Sequence, residues 1–497
     1  MAITGLLAAL VLSACESTPR KPRTPVAGES DLAVEQQRLR DIIVFNGKPG
    51  PGSAGLREII AAPTFRLLDV EDQFQALTLA AGATTPDEVK LAQGYLDRAI
   101  SLPGIGFEDL EITFRTATNA GYGAGAIKSL TLLARQWPEQ LTLIDRSLVV
   151  RAIYLVDQVS RDDKLSVLRA LYAAHWTLEW GIEPSFYWRD LSILLLDQGL
   201  RQEAIEVATH VTAAYVLIAM RADRRFDAVV AAHPERFEVE AAADRETKHY
   251  QALSEEHPKS LALKIGVLEA LMQQRHYAAM LAESDAVAQD IGATNFPDKL
   301  YDDYVEKHAQ YFYLRSVALQ RAARWDEAAE QLAEAARDGE LNQLINLASL
   351  YWALNRPTDA LSVLSTIGPT RTSPYGTMQV ELVKLQAAVL LGATDQIARS
   401  SKYLSEHRTD SPGDYLVSLL ATGRLDLAAA SLVSQLQDRK TRQDALLNVQ
   451  TYLPTPSSEL EMQLEAQWRS IVARKEVQAA IHKVGNVESY PLEAPGY

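Results

Sequence analysis

The side chains that could do chemistry are nine histidines, one thiol and many carboxylates. His175, His210, His233, His249, His257, His276, His308, His407 and His482 never fall into HExxH or a short His/Cys ligand spacing, so no metal site is expected. Adjacent carboxylates at Asp162-Asp163, Glu255-Glu256 and Asp302-Asp303 could do acid–base work only by facing across one cleft. In an acidic helical chain such pairs belong on solvated faces. Gly50, Gly52 and Gly55 spell GxGxxG after Ile42-Ile43-Val44. Pro51 removes an amide that would face a pyrophosphate, and no parallel strands follow, so the reading is a loop and no cofactor is expected. Gly52-Ser53-Ala54-Gly55 is not a nucleophile elbow, because Pro51 stands where GxSxG needs glycine. No residue is assigned a catalytic role. Cys15 is the only cysteine, which excludes an intramolecular disulfide.

One aromatic constellation leaves two readings open. Tyr301, Tyr304, His308 and Tyr311 recur at helical spacing, with Phe312 and Tyr313 beside them. They form either a packed layer between helices with hydroxyls at its rim, or an aromatic wall for a peptide or sugar.

The elements that would position these groups are helices. At 497 residues, with 47% hydrophobic content, the chain is folded but too long for one compact core. The 49 basic against 64 acidic residues leave −15, a field that repels phosphate backbones and argues against nucleic acid as a partner. No stretch reaches the ~18 to 20 apolar residues of a membrane-spanning helix. Leu344, Leu347, Ala348 and Tyr351 mark one apolar stripe, Asn355-Arg356-Pro357 breaks it, and Ala360, Leu364 and Ile367 resume it. Phe312, Ser316, Leu319, Ala328, Leu332 and Ala335 lie on matching positions 32 residues earlier, with Arg315 the one poor fit.

This pair of hairpins resembles the tetratricopeptide repeat (TPR), a 34-residue helix–turn–helix unit. Leu110, Phe114, Ala117, Gly121, Ala126, Leu130 and Pro138 follow the same register, and Trp188, Leu191, Ser192, Leu195, Gly199, Ala204, Ala208 and Val211 follow it most faithfully. Weaker units are marked by Val267, Leu268, Leu271 and Met280, by Leu382 to Tyr403, and by Tyr415, Leu416, Leu419, Gly423, Ala428 and Leu432. The expected fold is therefore all-α, an α-solenoid (superhelix) of roughly seven to ten TPR-like hairpins.

At the N-terminus, Ala2 to Leu12 is an apolar run of signal-peptide length, and Leu12-Ser13-Ala14-Cys15 resembles a bacterial lipobox. Met1-Ala2-Ile3-Thr4 lacks the usual basic residue, so either the start lies upstream or the signal is atypical. The resemblance implies lipidation of Cys15, with several acyl chains for stable anchoring. With Glu16 following the cysteine rather than Asp, it implies the outer membrane, facing the periplasm. The expected organisation is a signal peptide over 1–15, a tether over 16–31, degenerate helical repeats over 32–183, a solenoid with a C-terminal capping helix over 184–484, and an extended tail over 485–497.

In TPR proteins the first helix of each unit lines the inner surface. Carried onto this chain, the resemblance selects Phe186, Arg189, Gln310, Tyr313, Gln320, Arg321, Asn342, Ser349 and Trp352 as partner-binding positions. The set mixes aromatic, amide and Arg groups, as peptide grooves do; a solvated inner face without a ligand is the competing reading. The function expected is a non-catalytic scaffold for envelope proteins or peptides. The alternative is a periplasmic ligand-binding or glycan-processing protein with a pocket inside the superhelix.

Overall fold

The structure is a computed structural model that describes residues 33–34, 36–39, 41, 52–157, 160–337, 339–368 and 372–495. Cys15, the tether over 16–31, and most of residues 32–51 lie outside the described residues. Gly52 and Gly55, expected in a loop, instead open helix α1 (Gly52–Ala61).

The chain is all-α, and its helices pair into TPR-like hairpins because of one repeated turn. Gly121, Gly199, Arg275, Ala323, Asn355, Gly392 and Gly423 each have positive φ and stand two residues before the next helix. The following N–H reaches back five residues, as from Tyr122 to Ala117, Arg324 to Leu319, Arg356 to Tyr351 and Arg424 to Leu419, at 2.8–2.9 Å. This Schellman closure satisfies helix-end carbonyls and reverses the chain at the same step.

By packing, the chain falls into two compact units, Met1–Val207 and Ala208–Tyr497. The repeat beginning at Ser185, expected to open the second section, thus belongs with the first unit. That unit holds α1, α2 (Val70–Gly82), α3 (Val89–Ala99), α4 (Phe107–Asn119), α5 (Gly123–Gln136), α6 (Arg146–Asp157), α7 (Arg161–Ala173), α8 (Ser185–Asp197) and α9 (Arg201–Ala208). A capping box opens the 3-10 turn Pro86–Glu88 that leads into α3, with the Thr85 N–H donating to Glu88 Oε2. Phe114, Leu130, Leu168 and Leu191 form the seam that these short hairpins cannot bury alone. Ion pairs tie neighbouring hairpins at about the repeat spacing: Arg57–Glu88, Lys128–Asp97 and Arg169–Glu203.

The second unit holds α10 (Ala214–Ala222), α11 (Asp227–Ala232), α12 (Val239–Glu256), α13 (Leu261–Gln273), α14 (Tyr277–Gly292), α15 (Pro297–Leu300), α16 (Tyr304–Arg321), α17 (Trp325–Ala335), α18 (Leu341–Ala353), α19 (Pro357–Ser365), α20 (Pro374–Leu391), α21 (Thr394–Glu406), α22 (Pro412–Ala421), α23 (Leu425–Gln437) and α24 (Arg442–Asn448). These are followed by β1 (Thr451–Tyr452), α25 (Glu459–Val472), α26 (Lys475–Val484) and β2 (Ser489–Tyr490). Tyr301 and Tyr311 are buried among Leu268, Leu271 and Met280, and the Tyr311 hydroxyl donates to the Ser284 carbonyl. The aromatic stripe is thus a core layer at those two positions. Arg315, the poor fit, is half-buried but paired with Asp285 and Gln331, so its charge is not stranded.

Within this unit the succession of neighbouring helices closes on itself: α10 meets α12 at one side and α24 at the other. Ala222 sits in the same apolar cluster as Leu416, Leu432 and Leu446. Beside it, Asp223 is fully buried and satisfied, accepting from the Arg225 guanidinium and backbone N–H and from the Gln443 amide. The expected C-terminal capping helix is two helices, broken at Ala473-Arg474. An extended Arg474, paired with Asp426, lets α26 fold back and bury Val477 and Ile481 against the α23 cluster.

Candidate functional site

Residues 485–493, expected as an extended tail, are extended in backbone but docked. Tyr490, Leu492 and Glu493 are buried, while Val487, Ser489 and Pro491 face out. The alternation is that of a strand with one covered face. Ser489 and Tyr490 pair in parallel with Thr451 and Tyr452, and the Thr451 N–H donates to the Glu488 carbonyl at 3.0 Å. The segment enters at Gly485, where an added Cβ would lie 2.1 Å from the Ala222 carbonyl oxygen. One residue on, the Asn486 N–H donates to that same carbonyl at 2.9 Å.

Two arginines clamp the segment. Arg221, at the end of α10, donates twice to Glu488 Oε2, at 2.9 and 2.7 Å, and the Tyr490 hydroxyl joins the same oxygen at 3.0 Å. Arg321, the last residue of α16, donates to Glu493 Oε1, with Nε at 3.0 Å. Glu493 also donates its N–H to the Gln273 carbonyl and accepts from the Tyr215 hydroxyl at its own carbonyl, at 2.9 Å. Burial, then the hydrogen-bonding contact with Glu493 and its charge, push the Tyr277 phenol up to about 12. Burial and Glu493 also raise the Tyr215 phenol, so both hydroxyls stay neutral donors at neutral pH.

Next to this clamp stand two carboxylates on successive helices, Glu246 on α12 and Glu269 on α13. Burial raises both above the ordinary carboxylate range, opposed by the Ala214 N–H at Glu246 and by Gln310 and Lys307 at Glu269. Glu269 is itself exposed to solvent. Among the described residues no cluster of His, Cys, Asp and Glu could hold a metal ion.

The structure distributes the sequence-selected positions unevenly. Phe186 is exposed in the first unit, with the Arg189 guanidinium 5.4 Å from its ring. Arg189 also binds Asp190; burial alone would raise that carboxyl, but Arg189 and Lys164 hold it below its usual range. In the second unit Gln310, Tyr313 and Arg321 lie on α16: Gln310 donates to Glu269 at 3.2 Å, Tyr313 packs between two apolar clusters, and Arg321 takes Glu493. Gln320 spends its amide on Ser316, and Ser349 its hydroxyl on the Ile345 carbonyl. Asn342 is exposed. Trp352 is only 9% exposed, in the cluster of Ile345, Ala348 and Ala360 that Leu460 and Leu464 of α25 pack against. That position belongs to a core interface, because α25 lies across the first helices α18 and α22.

Sequence reasoning missed Tyr215, Arg221, Glu246, Glu269, Gln273 and Tyr277. The weak register around Val267 has no leading aromatic from which inner positions can be counted, and α10 is an apolar run outside any repeat.

No protein-family model matches this chain. No curated protein gives a significant match. Among solved structures the chain is similar to Naa15 in the Naa15/Naa10 complex bound to HypK-THB, at 13% identity over 88% of this chain and 73% of that one, with a TM-score of 0.22. It is also similar to the P58(IPK) TPR domain, at 12% identity over 91% and 99% with a TM-score of 0.17. A circular tandem repeat protein matches at 13% identity over 92% and 98%, with a TM-score of 0.13. Superposition at that level carries no functional argument, and the hairpins themselves carry the fold.

Proposed function

We propose that this chain is a non-catalytic scaffold that holds envelope proteins or peptides, anchored through lipidated Cys15 to the outer membrane and facing the periplasm. The observation that carries the scaffold reading is that the hairpins of the second unit hold an extended segment, residues 486–493, by backbone hydrogen bonds and two Arg–carboxylate pairs. Main-chain hydrogen bonds to an extended segment, with pockets for its side chains, are a recurring mode of peptide recognition. The lipobox-like Leu12-Ser13-Ala14-Cys15 supports the anchor. Among the described residues no helix is long and apolar enough to cross a membrane.

A second reading, a ligand-binding or glycan-processing pocket, draws on the convergence of Glu246 and Glu269 with Tyr215 and Tyr277. Their neighbourhood is already taken by Arg321 and Glu493, which favours peptide over sugar.

The test has two arms. Cys15→Ser should move the protein from the membrane to the soluble envelope fraction; unchanged membrane association sinks the anchor. Co-purification of the tethered protein should recover a defined set of envelope proteins, reduced by Arg189→Glu, and recovery of none sinks the scaffold.

A further inference from the structure

The cradle around residues 486–493 has the form of a recognition site with its own ligand in place. Its contacts come from α10, α13, α16 and the stretch after α24, which are far from the segment in sequence: Arg221 reaches Glu488 across 267 residues and Arg321 reaches Glu493 across 172. Its specificity elements are ordered along a strand. Arg221 reads an acid, a pocket beside Tyr452 takes the Tyr490 ring at 6.2 Å, a covered site takes Leu492, and Arg321 reads a second acid whose backbone carbonyl accepts from the Tyr215 hydroxyl. Pro491 sits between the last two with its ring outward, where no backbone donor is used and extended backbone is favoured.

The self-complex is imperfect at its deepest point. Glu493 is 3% exposed, and its Oε2 and the Tyr277 hydroxyl beside it face each other as acceptor and donor without a well-formed hydrogen bond between them. Buried polar groups left unpaired weaken an interface by more than a typical hydrogen bond contributes.

We infer that this cradle is a binding site for an extended partner segment of the pattern acid–x–aromatic–Pro–aliphatic–acid, and that residues 488–493 are its resident occupant, displaced when such a partner docks. The inference rests on the scaffold reading above and names the partner chemistry of that same surface. Occupancy by the chain's own segment lowers the apparent affinity for a partner by the fraction of molecules in which the cradle is empty.

The experiment uses the full chain and a fluorescein-labelled synthetic peptide carrying residues 486–495, followed by fluorescence anisotropy. Wild type should bind the probe weakly. Glu493→Lys, whose segment is repelled by Arg321, should bind it at least about ten-fold more tightly. The swapped pair Arg321→Glu/Glu493→Lys should reclose and return to weak binding. A Glu493→Lys chain with wild-type circular dichroism and no gain in probe binding overturns the inference, as does a gain accompanied by dimerisation in light scattering, which would make a second copy the occupant. Hydrogen exchange on the wild type guards against a variant that fails to fold. Amides 488 and 493 should exchange well before those of α16, and exchange only together with α16 would mean a fixed element and overturn the inference. Failure of probe binding while co-purification still recovers envelope proteins removes the inference alone; the reverse outcome removes the scaffold reading and keeps the site.

Discussion

Arg321 at the end of α16 and Glu493 near the end of the described chain form an ion pair across 172 residues, with side-chain exposures of 20% and 4%. Breaking such a pair by removing one partner leaves a charge stranded out of water, at a cost of about 3–5 kcal/mol. Arg321→Ala should therefore destabilise the docked segment by that order, up to the point where the segment leaves its cradle. Glu493→Ala in the same background should cost little more, giving a double-mutant coupling of at least ~1 kcal/mol in urea unfolding. Additive effects would show that the two charges do not act together.

Gly485 is required by space rather than by φ, since its backbone is extended. A Cβ there would meet the Ala222 carbonyl and the Leu446 side chain. Gly485→Ala should cost about 1–3 kcal/mol, as overpacking does, and should make the bonds after residue 485 the first cut in limited proteolysis. Protection equal to wild type would mean the Ala222 turn can give way.

The hairpin turns offer an internal scale. Ala323 and Asn355 hold positive φ where Gly392 and Gly423 do the same job without strain. An L-residue in that region costs about 1–2 kcal/mol, part of which glycine returns through its greater freedom when unfolded. Ala323→Gly should raise stability by roughly 0.5–1 kcal/mol, Asn355→Gly should be near neutral because Asn tolerates the conformation, and Gly423→Ala should lower stability by about 1 kcal/mol. Thermal unfolding of the three variants checks the order.

Glu246 and Glu269 have folded-state pKa values raised by burial. Raised acids bind protons more tightly when folded, so their contribution to stability falls as pH climbs from the unfolded carboxylate value, about 4.3, toward the raised one. Below that window the penalty is absent. Glu269→Gln should accordingly raise Tm at pH 7 and leave it nearly unchanged at pH 4, the difference being read by calorimetry at both values. A larger gain at pH 4 than at pH 7 would reverse the sign.

The hairpins were legible from residue order because helix pairing here is local. Apolar positions at i, i+3 and i+4, a cap such as Thr85 with Glu88, and Gly121, Gly199 or Gly423 between two stripes each act within a few residues. Even Arg315 showed as a misfit, although its partner Asp285 was not visible. The break at Arg474 left no sequence sign, since neither proline nor glycine marks it and only the α23 surface makes folding back worthwhile.

What residue order alone determined is the all-α class, the hairpin registers and the turn positions, because these follow from short-range periodicity and backbone strain. Tertiary structure alone decided that α10 meets α24, that Trp352 is covered by α25, and that Glu488 and Glu493 find Arg221 and Arg321. Those meetings depend on the small rotation from each hairpin to the next, summed over the whole second unit. That sum is a property of packing angles and is written in no single stretch of sequence.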